Sequence, residues 1–294
     1  MHVPDIHHAA IMAEAIASDF YNDRFDLSAR KEGSGSLRPQ MPGSDQATRL
    51  RNSGASLRAV RLFLTFVSAM DRARDATRLW NSGAELFQAY PEVFEPAEAS
   101  AIPLSMLRAR LSKYGVSQRH GPDSSGWHTI ARSLAARGNP VSRVVDSGVG
   151  NARELLSYLR IKHRGQSLFP LLRGPRIGPM WVRMLVTLGG ATIDDMDIIP
   201  VSVDVHVRRV TQNLGVVDTL DMSEREAREV IQDTWRAAIA RTNIVGPPEI
   251  ANTSAALDTA LWVFGRLGCS HCEKVPRPVP ISRACDHCQL RIAP

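Results

Sequence analysis

Helical periodicity broken by Gly and Pro is the feature that most restricts the folds open to this chain. Ile6, Ala9, Ala13, Ile16 and Phe20 fall near one face of a helix predicted over residues 4–22. "LRAVRLFLTF", from Leu57, predicts a strongly apolar helix through Phe66, and an Arg-flanked helix follows through Leu79 and Trp80. Further helices are expected at 104–113, 124–137, 150–161, 178–188, 205–214, 223–241 and 253–267. Breakers such as "EPAEASAIP", "HGPD", "RGNP" and "VGPPE" separate them. No run alternates in the way a sheet needs, so the expected fold class is all-α. With 294 residues, 44% of them hydrophobic, the chain can build one large or two modest domains with real cores. No apolar run approaches the ~20 residues that span a bilayer. The N-terminus carries His and Asp rather than a basic start before an apolar core, so a cytoplasmic location is expected.

The formal charge is +6, and of the 36 basic residues only Lys31, Lys113, Lys162 and Lys274 are lysine. The rest are arginine, whose planar fork holds phosphate bidentately, a mild pointer to nucleic acid. All four cysteines fall in one C-terminal stretch: Cys269, Cys272, Cys285 and Cys288. Paired CxxC spacing reads as a four-thiolate site for zinc or an iron–sulfur cluster rather than a disulfide framework. His271 and His287 sit inside the two pairs.

Within "IIPVSVDVHVRRVTQNLG", Ile198–Gly215, valines at 201, 203, 205 and 207 alternate as in a half-buried strand, yet Asp204 stands among them. Pro200 makes the approach extended, and "VHVRRVTQNLG" suits a short helix ended by Gly215. Asp204 is then at or near an N-cap. The same geometry serves a plain cap, or a carboxylate that stabilises a developing cation or activates water. Upstream, "LFPLLRGPRIGPMWVRMLV", Leu168–Val186, places Gly174 and Gly178 in a tight turn between an apolar helix end and a helix starting near Pro179. Unpaired N–H groups at such a start can hold a phosphate without reading sequence. As a bare motif it is equally an αα-corner. Asp194, Asp195 and Asp197 read as a solvated acidic loop.

In this order, hairpin, aspartate and cysteines resemble the helix-hairpin-helix DNA glycosylase superfamily, and its cluster-bearing endonuclease III-like branch in particular. The resemblance runs from about Leu57 to Cys288. "LFLTFVSAMDRARDATRLW" looks like the first barrel helices, and "LRARLSKYGVSQRHGPDSSGWHTIARSL" like the segment with the strand-wedging loop. "LLRGPRIGPMWVRML" takes the place of the hairpin, and "VDVHVRRV" that of the Val-Asp-x-His motif. "ALWVFGRLGC" leads into the cluster loop. The last two matches are the specific ones.

The resemblance implies two helical domains with a DNA-binding cleft between them and a C-terminal four-cysteine loop. An N-terminal helix (1–28) and a flexible basic linker (29–56) would precede a six-helix barrel region (57–215) with the hairpin and the catalytic Asp, its early helices open to pairing with the second domain instead. A C-terminal helical domain (216–294) would hold the cysteines. The implied partner is double-stranded DNA, bound by a monomer with no membrane association. The implied reaction is cleavage of the N-glycosidic bond of a flipped base, with Asp204 stabilising positive charge at C1′. Arg176, Ile177, Gly178, Pro179, Met180, His206 and Arg208 would contact DNA. Met70, Val116 and Ser117 would line the base pocket or fill the gap left in the duplex.

Several positions depart from the family. Met180 stands where bifunctional members carry a lysine nucleophile, which implies base removal without strand cleavage. Arg176 replaces the first Gly of the hairpin, and "GGATIDDMDII" lengthens the gap to Asp204. A rival turn, "SGVGNARELL" at Ser147–Leu156, has a cleaner Gly-Val-Gly but lies far from Asp204 in sequence. The cysteines differ from the branch's C-x6-C-x2-C-x5-C, so Cys272 would be a relocated ligand. A [4Fe–4S] cluster is the expected cofactor by position, with zinc the alternative, and Arg277, Arg283 and Arg291 stand nearby to meet DNA. Met70 replaces a Gln, so the excised base (damaged, mismatched or hypermodified as in viral DNA) stays open. The competing reading is a non-catalytic DNA-binding protein with a structural zinc site.

Overall fold

The computed structural model describes residues 4–25, 42–274 and 280–292. The protein is mostly helical. In chain order the longer helices are α1 (Ile6–Tyr21), α2 (Ser44–Asn52), α3 (Leu57–Met70), α4 (Ala76–Ala89) and α5 (Pro96–Ala101). There follow α6 (Leu104–Lys113), α7 (His120–Ala135), α8 (Pro140–Ser147), α9 (Ala152–Leu159) and α10 (Ile177–Thr187). The last are α11 (Val205–Asn213), α12 (Glu224–Ile239) and α13 (Ser254–Val263), which continues as a π-helical turn over Phe264–Cys269. Short strands β1 (Val149–Asn151), β2 (Lys162–His163), β3 (Gln166–Ser167) and β4 (Thr192–Asp194) form two pairs, β1 with β4 in parallel and β2 with β3 antiparallel.

The chain divides into two compact units, Met1–Met41 with Asp197–Pro294, and Pro42–Met196. This moves the boundaries expected from sequence. The stretch 29–56, read as a flexible linker, contains α2, whose Gln46 accepts from the Gly43 N–H and donates to Asn81. The region 57–215 is not one body, because α11 with Asp204 belongs to the unit built from the chain ends.

The central unit is organised around α3 and α10. Every residue of α3 from Val60 to Met70 is buried, as is α10 from Ile177 to Val186. A helix buried on all sides needs neighbours on all sides, and Phe66 and Phe94 pack on Trp127 at ring distances of 4.6 and 5.2 Å. Thr65 Oγ1 donates to Arg61 O and accepts from Trp181 Nε1 at 3.0 Å.

Arg61, 5% exposed, donates to the carbonyls of Val145 (2.8 Å), Asp146 (3.1 Å) and Gly189 (3.1 Å). It thus satisfies the open C-terminus of α8 and ties it to the loop after α10. Gly148, at φ 77°, ends α8 in the left-handed region, and a Cβ there would come within 2.9 Å of the guanidinium. Arg61→Ala leaves these carbonyls without their buried donor, an expected loss of about 3 kcal/mol. Thermal denaturation should show a fall in Tm of roughly 6–12 °C. Arg61→Lys is expected to recover little of it, because one ammonium cannot serve carbonyls on both sides.

In the other unit α1 is capped by Asp5, which accepts from His7 and His8 N–H. Its apolar face (Met12, Ala13, Ile16) is fully buried, and α12 and α13 pack against this helix. Trp235 Nε1 donates to Thr211 Oγ1 at 3.0 Å, joining α12 to α11.

Candidate functional site

Of the alternating valines, Val201 and Val203 lie in a segment outside any sheet, while Val205 and Val207 already belong to α11. Pro200 supplies no N–H for a ladder, and side chains hold the backbone instead. Asp258 Oδ1 accepts from Ser202 N at 2.7 Å, and Gln232 Nε2 donates to Val201 O at 2.9 Å. Val201 and Val207 are fully buried while Val205 is 62% exposed, so the chain turns at this point.

Asp204 is the N-cap of α11. Its Oδ1 accepts from His206 N (2.9 Å) and Val207 N (3.0 Å), and its Oδ2 accepts from Trp262 Nε1 at 3.0 Å. The carboxylate is half-buried and faces an open pocket of about 240 Å³ with Arg208, Glu224 and Arg228 on its walls. A negative charge held by fixed donors at a pocket edge can meet a developing cation with little reorganisation.

Trp262 sits at a junction. The Arg266 guanidinium lies 5.0 Å from its ring centroid, and His206 meets the ring edge-on at 5.5 Å. Arg209 Nη1 donates to His206 Nδ1 at 3.2 Å, which places the proton of the neutral ring on Nε2. Burial holds the His206 pKa below its ordinary value. Asp204 opposes the shift, while Arg209 and Arg266 add to it. Arg209 is also ion-paired to Glu273 at 3.0 Å, and Arg208 donates through Nε and Nη2 to Thr219 Oγ1 and O at 2.9 and 2.6 Å. These two arginines first brace α11, and Arg208 alone also reaches the pocket.

What sets α11 at its depth is Gly265. A Cβ on it would clash with His206 O and stand 2.7 Å from the His206 carbonyl carbon. The π-helical turn therefore lies directly against the backbone of α11, and π-turns inside helices often mark functional positions.

The hairpin residues are arranged differently from expectation. No helix end precedes the turn, since α9 closes at Leu159 and the β2–β3 pair intervenes. Ile177, Gly178, Pro179 and Met180 are all buried. Gly178 N donates to Gly174 O at 3.1 Å and Pro179 has no N–H, so the start of α10 offers little to a phosphate. Gly178 serves close packing, since a Cβ would meet Leu172 O at 3.0 Å and Leu156 Cδ2 at 3.3 Å. Arg176 is held by Asp71, donating to its carbonyl and pairing with its carboxylate at 3.8 Å. The exposed residues of this turn are Arg173 and Pro175.

The residues expected to wedge the strand also turn inward. Met70 is 4% exposed, Val116 0% and Ser117 6%. Asp123 gathers Gln118 N and Arg119 N at 2.8 Å, and Arg74 seizes the carbonyls of Gly115 and Val116 at 2.6 Å. That bonding closes the loop over its apolar side and leaves Gln118 and Arg119 exposed. The rival turn is a helix–turn–helix, α8 into α9, with Asn151 as N-cap. It is tied to the acidic loop through β4 and through Asp195, which accepts from Asn151 and pairs with Arg153, so this loop is not merely solvated.

Cys269, Cys285 and Cys288 are buried and Cys272 is half-buried. Burial pushes the Cys269 thiol well above its ordinary value. Cys288, Cys285 and Cys272 add to the rise, and a bond from Asn213 opposes it. Cys285 Sγ accepts from Ile281 N at 3.4 Å, the kind of bond that supports a thiolate ligand. The donor set is the soft sulfur set a cluster or zinc requires, yet among the described residues no three His, Cys, Asp or Glu converge closely enough to hold a metal ion. The chemistry fits, while among the described residues the ligands are not drawn into one shell.

The segment bearing Cys285 and Cys288 is docked on α1. Asp19, 2% exposed, accepts from Ser282 Oγ (3.0 Å), Arg283 N (2.8 Å) and Arg283 Nε (3.0 Å). Arg283, expected to face DNA, is thereby committed to Asp19. Arg277 and the side chains of His271 and Arg291 lie outside the described residues. His287 meets His8 edge-on at 5.7 Å.

Comparison with protein-family models, with curated proteins and with solved structures finds no match for the chain. Among the described residues no helix is long and apolar enough to cross a membrane. The site residues that sequence reasoning passed over are Trp262 and Gly265. Both lie in "ALWVFGRLGC", and a Gly inside an apolar helical run is the signal of close backbone approach. Its partner, the backbone of His206, is not deducible from spacing.

Proposed function

We propose that the protein is a monofunctional DNA N-glycosylase acting on a base flipped out of duplex DNA. The observation that carries this reading is Asp204, a carboxylate fixed by His206 N, Val207 N and Trp262 Nε1 at the edge of a pocket that Arg208 and Arg228 also line. As the glycosidic C–N bond breaks, its electron pair leaves with the base, which takes up a proton, and C1′ gains oxocarbenium character. Asp204 faces that charge, water adds to C1′, and the water's proton is released to solvent. Met180 stands where the resemblance would need an amine nucleophile, and it is 7% exposed, which supports a water nucleophile and no lyase step. The competing DNA-binding reading draws on the same geometry, since Asp204 is also a complete N-cap.

Abasic-site formation on a panel of damaged, mismatched and modified duplexes, read by alkaline cleavage, is the test. Wild type is expected to cut at least one of them and Asp204→Asn none. Equal silence of both, with duplex binding retained, would leave a non-catalytic DNA-binding protein. Borohydride trapping of a lysine-dependent adduct would overturn the monofunctional assignment.

Cys269, Cys272, Cys285 and Cys288 would hold the [4Fe–4S] cluster or, as the alternative, zinc. When bound, the group would supply a cross-link between the end of the π-helical turn and the loop docked on Asp19. Purified protein is expected to be brown, with about four iron and four sulfide per chain. A colourless protein with one zinc would assign the alternative, and a metal-free, stably folded chain would remove the cofactor altogether.

A further inference from the structure

We propose that Arg228 and Arg208 form a subsite for a DNA phosphate beside Asp204, a proposal that rests on the glycosylase reading above. Arg208 and Arg228 both line the pocket that Asp204 lines. Arg208 is set in place by Thr219, which accepts from Nε and Nη2 and does not engage Nη1. Arg228, on α12, is half-buried, yet among the described residues it makes no hydrogen bond or ion pair.

The same helix supplies the contrast. Arg225 and Glu229, four residues apart on the solvent side, are bridged at 2.9 Å. Glu224 and Arg228 have the same spacing, both line the pocket, and stay unbridged. Spacing that favours an ion pair on a helix is thus left unused where the pocket opens. Glu224 is exposed at the rim, where solvent screens its charge. Asp204 already has both oxygens engaged by N–H groups.

The chemistry selects phosphate over a base. Residues lining the pocket include no aromatic ring on which a base would stack. Two forked cations, Arg228 without an acceptor among the described residues and Arg208 with Nη1 outside its bonds to Thr219, match phosphate oxygens. The phosphates of a nucleotide lie one sugar away from its C1′, so a carboxylate at C1′ and an arginine pair in the adjoining pocket suit one nucleotide.

The probe is a duplex carrying a tetrahydrofuran abasic analogue, which needs no knowledge of the excised base. Binding is measured by fluorescence anisotropy across a salt series with wild type, Arg228→Ala, Arg228→Lys and Arg225→Ala. Losing one phosphate contact lowers the salt slope by about 0.9, so between about 50 and 200 mM salt Arg228→Ala should lose about 3.5-fold less affinity than wild type. Arg228→Lys, which keeps the charge, should restore the slope, and Arg225→Ala should match wild type. Circular dichroism confirms that each variant is folded. If wild type binds and Arg228→Ala has an unchanged slope, the subsite is refuted and the glycosylase reading stands. If wild type binds no duplex, that reading fails and the subsite with it.

Discussion

Asparagine at position 204 is expected to lower base release by about 10²–10³-fold or more while leaving the protein folded. Asn caps a helix as well as Asp does, so its Oδ1 can go on accepting from His206 N and Val207 N. What disappears is the negative charge and the acceptor for Trp262 Nε1, where the new amide presents N–H against N–H. The unpaired donor costs about 1 kcal/mol at this half-buried position, a fall in Tm of roughly 2–4 °C. Single-turnover release on whichever duplex the panel identifies, alongside a thermal melt, separates the two effects. Trp262→Phe keeps the charge but loosens it, and should fall between wild type and Asn. If the Asn variant works within about tenfold of wild type, Asp204 is a cap and nothing more.

Gly265→Ala is expected to damage both stability and activity more than its single methyl suggests. The Cβ would press on the carbonyl of His206, and a backbone carbonyl inside a helix cannot rotate away. Helix α11 must shift, taking Asp204 with it. Overpacking of this kind costs about 3 kcal/mol, a fall in Tm of roughly 6–12 °C. Gly174→Ala is the matched control, since a Cβ there has nothing within 4 Å, and it should melt like wild type. A Gly265→Ala protein with wild-type Tm would mean that α11 and the π-turn are not held in this contact.

Periodicity located most of the long helices, including α3, α6, α10 and α12, because each has an apolar face and a recognisable start or stop. It passed over α2, α5 and α8, which are six to nine residues long. Helices that short owe their existence to packing more than to their own propensity. The strands were illegible for the same reason: β1 and β4 have three residues each and exist because α8, α9 and the loop after α10 bring them together.

At the site, Asp204 as an N-cap could be read from "VDVHVRRV", since capping is local chemistry between residues two and three apart. The clustered cysteines could be read from spacing. The hairpin could not, because whether "GPRIGPM" is a surface turn or a packed one depends on Leu156, Leu159 and Asp71, all remote in sequence. The wedge residues failed likewise: Asp123 and Arg74 decide which side of the 115–119 loop faces in.

The amino-acid order alone therefore determined the helical class, the capped aspartate and the thiol-rich terminus, since each is set by contacts a few residues apart. Long-range contacts decided the rest. Trp262 reaches Asp204 across 58 residues, Gly265 sets the depth of α11, and Arg208 and Arg228 meet at one pocket. These depend on which helix faces pack together, and a sequence pattern specifies that a face is apolar without specifying the partner it will meet.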